Sequence, residues 1–211
     1  MKGLSFDASR RARALTLRPA RDLDVHARVL AVPASACVRG IFFNLIDEDL
    51  RRRGLARGSG MLLPEKRAEK RRSYALYPLR EFLPCLAAAG ARADEDASEG
   101  VRAILSGGAP FCANTWFGRV FQRFLHPSPT AAFHWLERSR DYMCNYGHWR
   151  VEERGRERVI VHMFDEYIWI DPAHRGGCEG LLVACGVTGE VNVELDGAFR
   201  GRLDVRWERQ S

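Results

Sequence analysis

Apolar positions along this chain change period once, near Gly147, and the change divides a helical part from a sheet part. Over 36–53, Val38, Ile41, Phe42, Leu45 and Leu50 recur at the three- and four-residue spacing of an amphipathic helix. Ser35 stands where an N-cap belongs and Gly54 where the helix stops. Upstream, residues 1–24 form a basic arm, and 25–32 reads as a short strand that ends it. Downstream, the charged run 65–72 reads as a solvated helical face. Tyr77-Pro78-Leu79 opens another helix with Pro78 in its first turn, Pro84 kinking or restarting it, and Gly90 ending it.

A short helix over 97–105 closes at Gly107-Gly108, and an aromatic helix follows over 110–125. Ser128 as N-cap with Pro129 at the first helical position starts the last of these helices, whose apolar face runs through Phe133, Leu136, Arg140 and Met143. Gly147 is its natural C-cap. Beyond it the pattern alternates. Two hairpins, 148–154 with 157–164 and 189–196 with 201–207, flank a helix over 175–186. The fold class is therefore α+β: N-terminal helices packed on a four-stranded antiparallel sheet whose C-terminal unit runs β-β-α-β-β. Residues 25–211 form one domain.

Composition narrows the function classes. The 211 residues carry a net charge of +6, but of 33 basic residues only Lys2, Lys66 and Lys70 are lysines, a bias typical of a GC-rich genome. The arginines gather on no helix-turn-helix, finger or aromatic-and-basic platform, so charge alone implies weak, salt-sensitive polyanion binding and no specific nucleic-acid reader. No apolar run approaches the ~18 residues of a membrane span, and the start of the chain lacks a secretory apolar region; a cytoplasmic location is expected. Six cysteines stand singly, with no CxxC, as small buried hydrophobes would.

Catalytic chemistry finds no residue set. Glu152-Glu153 and Asp165-Glu166 are adjacent pairs, which a strand points to opposite faces, and a solvated edge is the expected place for them. His162 lacks an identifiable partner nucleophile. Gly176-Gly177-Cys178-Glu179-Gly180 lacks the Lys-Ser/Thr of a phosphate loop; its glycines are expected to let a helix approach the sheet closely. The aromatic supply is richer. Phe42, Trp116, Phe121, Trp135, Tyr142, Tyr146 and Trp169 fall on helices or on the loop facing the sheet, where they serve as core or line an apolar small-molecule pocket.

Several segments also resemble a large myxobacterial paralogous family of unknown function. They are Arg39 to Asn44, Tyr77 to Leu83, Asn145 to Glu152, Gly177 to Leu182 and Leu203 to Trp207. The element order resembles the superfamily of H-NOX domains, vinyl-reductase-like domains and TRAPP subunits. That resemblance implies a domain that holds haem, an aromatic effector or an acyl chain between helices and sheet, or one that serves as an assembly subunit. Haem in H-NOX domains requires a proximal His, for which His126 and His134 are available, and a Tyr-x-Ser-x-Arg clamp, which this chain lacks. Zinc in the vinyl-reductase-like domains uses ligands around the final hairpin, which here has no Cys. Cys178 and Cys185 lie ~10 Å apart along their helix, so a site would need Cys144 or His174 to join one of them. No cofactor is expected.

The reading that follows is a non-enzymatic sensory or regulatory domain for a hydrophobic or aromatic small molecule, with output through a partner protein. The alternative is a pocketless interaction module. A homodimer is expected through the first helix or the 110–125 helix, with Phe117 in the contact.

Overall fold

The computed structural model describes residues 23–55, 71–113 and 128–208. The basic arm as far as residue 22, the charged run as far as residue 70, and Trp116, Phe117, Phe121 and His126 lie outside the described residues.

The first described element is a helix, α1 (Val25–Ala31), where a strand was expected. The Asp24 carboxylate accepts from the Ala27 backbone N–H at 3.1 Å, which caps the helix start. Val25 and Val29 stand four residues apart and pack against the helical core, so the operative spacing is one helical turn. The helix over 36–53 is likewise shorter than its pattern implied. β1 (Cys37–Arg39) comes first and α2 (Gly40–Arg52) springs from it. β1 pairs antiparallel with β2 (Leu76–Pro78), and Val38 bridges to Cys144 on its other side. The Cys37 N–H donates to the Asn145 side chain at 2.6 Å. These partners lie far away in sequence, and their hydrogen bonds override a locally helical pattern.

α3 (Leu79–Ala93) starts after Pro78 and runs unbroken through Pro84. Pro84 and Arg80, whose carbonyl loses its helical partner, both lie on the exposed face, where water can replace the missing N–H. α4 (Ala97–Ser106) is capped by Asp96, which accepts from Ser98 N–H at 2.8 Å. α5 (Gly108–Ala113) is the described start of the expected aromatic helix. α6 (Pro129–Met143) begins as its sequence implies, with Ser128 accepting from Ala131 N–H at 3.5 Å and Pro129 at the first position.

Past α6 the chain turns at Gly147, with φ +59°. A Cβ there would stand 2.7 Å from both the Phe164 and Asp165 carbonyl oxygens, so the corner admits only glycine. The sheet follows, with β3 (His148–Glu153), β4 (Arg158–Phe164), β5 (Thr188–Gly197) and β6 (Arg200–Glu208) in the antiparallel order β3-β4-β6-β5. Between the hairpins a π-helical turn (Ile170–His174) leads into α7 (Arg175–Ala184).

Two hydrophobic cores result. The helical one gathers Phe43, Phe82, Leu83, Leu86 and Ile104, together with Tyr146, Ile168 and Trp169 from the sheet-side loops. The other places Phe133 of α6 and Leu181 and Leu182 of α7 against one face of the sheet, where Val161, Met163, Leu203, Val205 and Trp207 alternate inward. The opposite face carries ion pairs such as Arg158–Asp204 at 2.8 Å. The glycines of α7 act differently from expectation: they let α7 approach a helix. A Cβ on Gly176 would stand 2.3 Å from the Arg102 carbonyl oxygen, and one on Gly180 would stand 2.0 Å from that of Ser106. Both carbonyls belong to α4.

Candidate functional site

The two cores meet along the segment after β4. Asp165 takes φ +52° and the Glu166 N–H donates to the Phe199 carbonyl at 2.9 Å, which turns the Glu166 side chain inward. Glu166 is wholly buried. Its Oε2 accepts from Arg140 Nη2 at 2.8 Å and from Trp149 Nε1 at 2.9 Å, and its Oε1 accepts from the Ile168 N–H at 3.1 Å. His174 Nε2 lies 3.2 Å from Oε1 but is misaligned for a well-formed hydrogen bond. A buried carboxylate costs several kcal/mol unless it is paired and hydrogen-bonded. Burial alone would raise its pKa. The charges of His174 and Arg140, with hydrogen bonding from Trp149, overturn that and hold the carboxyl below the usual range.

Arg140 comes from the apolar face of α6 and is buried, its guanidinium 4.7 Å from the Tyr146 ring centre and 5.3 Å from that of Trp149. Its Nε and Nη1 have no well-aligned hydrogen-bond partner, and the Tyr146 hydroxyl lies close to Arg140 and Glu166 without a well-aligned one. Burial first, and then the Glu166 charge, push the Tyr146 phenol well above its ordinary value, so it stays protonated. Arg28 arrives from α1, donating to the Tyr167 carbonyl at 3.0 Å and the Ala198 carbonyl at 3.2 Å. It lies 5.3 Å over Trp169 and 5.2 Å over Phe199. Burial lowers its pKa to about 10, which leaves it cationic at neutral pH.

Of the seven expected pocket aromatics, the structure brings Tyr146 and Trp169 to this junction. Phe42 packs instead into the helical core, edge-on to Phe82 at 6.2 Å. Tyr142 is 44% exposed beneath Arg39, 4.7 Å from its ring centre. Trp135 turns to the far side of α6, and Trp116 and Phe121 lie outside the described residues. Sequence reasoning missed Arg28, Arg140, Trp149, Glu166 and His174. Two signals were present: Arg140 sits in register with the apolar face of α6, and Glu166 is an acid directly followed by Tyr167-Ile168-Trp169-Ile170. Glu166 therefore lies in the interior, against the expectation of a solvated edge.

A second feature lies at the N-terminal end of α6. A groove of about 500 Å³ is lined by Ser128, Thr130, Ala131, His134, Trp135 and Arg138, with Glu153 opposite. His134 bridges two carboxylates, Nδ1 at 3.1 Å from Glu137 and Nε2 at 2.9 Å from Glu153. Hydrogen bonds to Glu137 and Glu153 raise its pKa.

Neither site fits a haem. Both ring nitrogens of His134 are engaged by carboxylates, leaving no lone pair directed to an iron. At the helix-to-strand corner Tyr146 is buried while His148 and Arg150 are exposed, on the outward-facing positions of β3, so the three do not converge on an anionic group. Among the described residues no three His, Cys, Asp or Glu side chains gather as metal ligands. Burial pushes the Cys178 thiol up to about 12 and raises that of Cys185, while the Cys144 thiol donates to the Arg140 carbonyl at 3.5 Å.

The fold is that of H-NOX proteins. The unliganded Fe(II) H-NOX protein from K. algicida aligns over 82% of this chain and 97% of its own, with a TM-score of 0.65 and 11% identity. A mutant H-NOX protein from S. oneidensis in the Fe(II) state aligns over the same shares, 82% and 97%, with a TM-score of 0.66 and 13% identity. The Fe(II)CO H-NOX domain from Shewanella oneidensis covers 82% of this chain and 99% of its own, with a TM-score of 0.58 and 16% identity. No curated protein matches in sequence. The described elements after α1, the β-β-α-β-β unit included, fall within residues 31–208, which match the model of a protein family of unknown function, DUF2378, and the chain belongs to that family.

Proposed function

We propose that this chain is a non-enzymatic sensory domain that binds a small organic molecule between its helices and its sheet and passes the signal to a partner protein. The observation that carries the reading is the set of buried polar atoms without partners, Arg140 Nε, Arg140 Nη1 and the Tyr146 hydroxyl, at the seam of the two cores. Buried polar groups are nearly always hydrogen-bonded, and several left open beside one another mark a place where something else belongs. The aromatic rings of Tyr146, Trp149 and Trp169 supply the apolar part of such a site. The fold supports the reading, since H-NOX proteins share it. The reading does not call on haem: the Tyr-x-Ser-x-Arg clamp is absent from the sequence, and both ring nitrogens of His134 face carboxylates. A cytoplasmic location accords with it; among the described residues no helix is long and apolar enough to cross a membrane. Native mass spectrometry of the purified protein, set beside its denatured mass, tests the proposal. The expected result is a bound organic compound released on denaturation, or a rise in unfolding midpoint with members of an aromatic compound panel. A bare mass together with no midpoint shift across the panel overturns it.

A second reading, a dimeric scaffold, is favoured by the exposed side chains of Tyr74, Leu76 and Tyr142, which surround Arg39. Light scattering at tens of micromolar that reports a monomer removes it.

A further inference from the structure

We infer that the open edge of β2, beside Arg39, is the surface through which this chain meets its partner protein, and that the occupant is an extended segment of that partner carrying an aspartate or glutamate. The inference rests on the reading above that output passes through a partner, and it adds where the partner docks and what chemistry it brings.

β1 and β2 form a two-stranded sheet in which the outer side of β1 is taken. Val38 bridges to Cys144, the Cys37 N–H donates to the Asn145 side chain, and the Cys37 carbonyl accepts from the Asn145 N–H at 3.3 Å. β2 has no such neighbour among the described residues. The Gly40 N–H donates to the Ala75 carbonyl at 2.9 Å and the Leu79 N–H to the Ala36 carbonyl at 2.8 Å. These bonds bracket Tyr77 as the residue of β2 that exchanges hydrogen bonds with β1, opposite Val38. Its neighbours in an antiparallel ladder turn their backbone groups the other way, so the Leu76 N–H and C=O and the Pro78 C=O point outward. Pro78 has no N–H to leave unpaired there, which is why edge strands tolerate proline. The edge thus offers one donor and two acceptors, and the main chain of an extended peptide supplies their complement.

The side chains around this edge add an apolar surface and a charge. Tyr74 and Leu76 are each 46% exposed, and Tyr142 is 44% exposed. The register sets Arg39 opposite Leu76, on the same face of the two strands. Its Nε donates to the Tyr142 carbonyl at 2.7 Å, its Nη1 donates to the Tyr74 carbonyl, and its guanidinium lies 4.7 Å from the Tyr142 ring centre. All of these neighbours are neutral. Among the described residues no carboxylate pairs with Arg39, and its Nη2 makes no hydrogen bond. A strand laid along β2 carries every second side chain on that face. An acid there answers Arg39, and an aliphatic residue two positions away covers Leu76.

A second copy of the chain fits this surface less well. A two-fold contact centred here sets Arg39 against its own copy. Three half-exposed side chains also fall well short of the roughly 800 Å² that each partner buries in a standard stable interface. An added strand needs less area, because main-chain hydrogen bonds supply much of its affinity.

NMR-detected titration of the nitrogen-15-labelled full chain with the capped peptide Thr-Leu-Thr-Glu-Thr-Leu-Thr tests this, since its leucines and its glutamate share one strand face. The Leu76 amide resonance should move as peptide is added. The glutamate peptide should bind about three- to fivefold tighter than its glutamine counterpart, the margin of an exposed charge pair. Arg39→Gln should erase that margin. Leu76→Glu, a change at an exposed position, should abolish binding of the glutamate peptide while the unfolding midpoint holds. Equal binding of the two peptides overturns the acidic partner. A Leu76 amide that stays still at millimolar peptide overturns docking at this edge; a dimer in light scattering that Leu76→Glu splits overturns it in favour of a second copy. Each of these results leaves the ligand reading to native mass spectrometry, so the two fail separately.

Discussion

The histidine–glutamate clusters at Glu166 and at His134 behave oppositely because one is dry and the other wet. Glu166 is fully buried and draws on Arg140, Trp149, His174 and a backbone N–H. His134 sits at the groove on α6, 29% exposed, between Glu137 and Glu153, the latter 58% exposed. In the first cluster the partners are obligatory, since an unpaired charge there has no water to fall back on. In the second, water replaces any partner that leaves. Similar contact distances thus carry very different free energies, and burial decides which cluster shapes the protein.

The strongest way to break the comparison is Glu166→Leu. It strands Arg140 as an uncompensated buried charge and should lower stability by about 3–5 kcal/mol, read from urea unfolding. A loss below ~1 kcal/mol would mean that the cluster is no more demanding than a surface pair. Adding Arg140→Met to Glu166→Leu should recover about 1–2 kcal/mol of that loss, since the stranded charge is gone. Recovery stays partial because Trp149 Nε1 and the Ile168 N–H still lack their acceptor.

The two clusters also predict opposite pH dependence. Glu166 has a folded pKa below its ordinary value of 4.5, so its contribution is full above that value and is lost as pH falls through the folded one. Urea midpoints from neutral to strongly acidic pH should show this limb in the parent and lose it in Glu166→Gln. His134 has a folded pKa above its ordinary 6.5, so its smaller contribution is full below 6.5 and disappears as pH rises through the folded value. The smallest effect sharpens the contrast: Glu153→Gln should cost no more than about 0.5 kcal/mol. The same substitution should move the His134 titration, followed by its ring proton resonance, back toward the ordinary value. An unchanged titration would show that Glu153 does not hold the ring.

What the sequence made legible follows the same division. The sheet was readable because its face alternates strand by strand, and α6 because Ser128 and Pro129 are local signals. β1 was hidden, since its strand partner is Leu76–Pro78 and its other contacts, Cys37 to Asn145 and Val38 to Cys144, lie more than a hundred positions away. α1 was misread as a strand although Asp24 and the valines at 25 and 29 carry a helical spacing. The buried cluster was the least legible part. Arg140 and Glu166 are charged, and charge ordinarily predicts solvent; only their apolar sequence neighbours argued otherwise. Tyr146 and Trp169 stood out because aromatic residues at helix–sheet junctions are conspicuous, while the ions beside them are not.

The glycine seam between α4 and α7 sets how this fold can vary. Where α7 crosses α4, the backbones approach so closely that a methyl group at 180 would stand 2.0 Å from the Ser106 oxygen. Of the twenty amino acids, only one fits there without driving the two helices apart. Every other outward position of α7 is free to drift, and Val183, 70% exposed, shows how loosely that face is held. On the face of α7 that meets α4, mutational freedom is therefore set by distance to a neighbouring backbone, while Cys178, Leu181 and Leu182 are held by the sheet core. Saturation mutagenesis scored on folded yield would draw it as two positions closed to every side chain, 176 and 180, beside core positions 178, 181 and 182 that still accept apolar replacements.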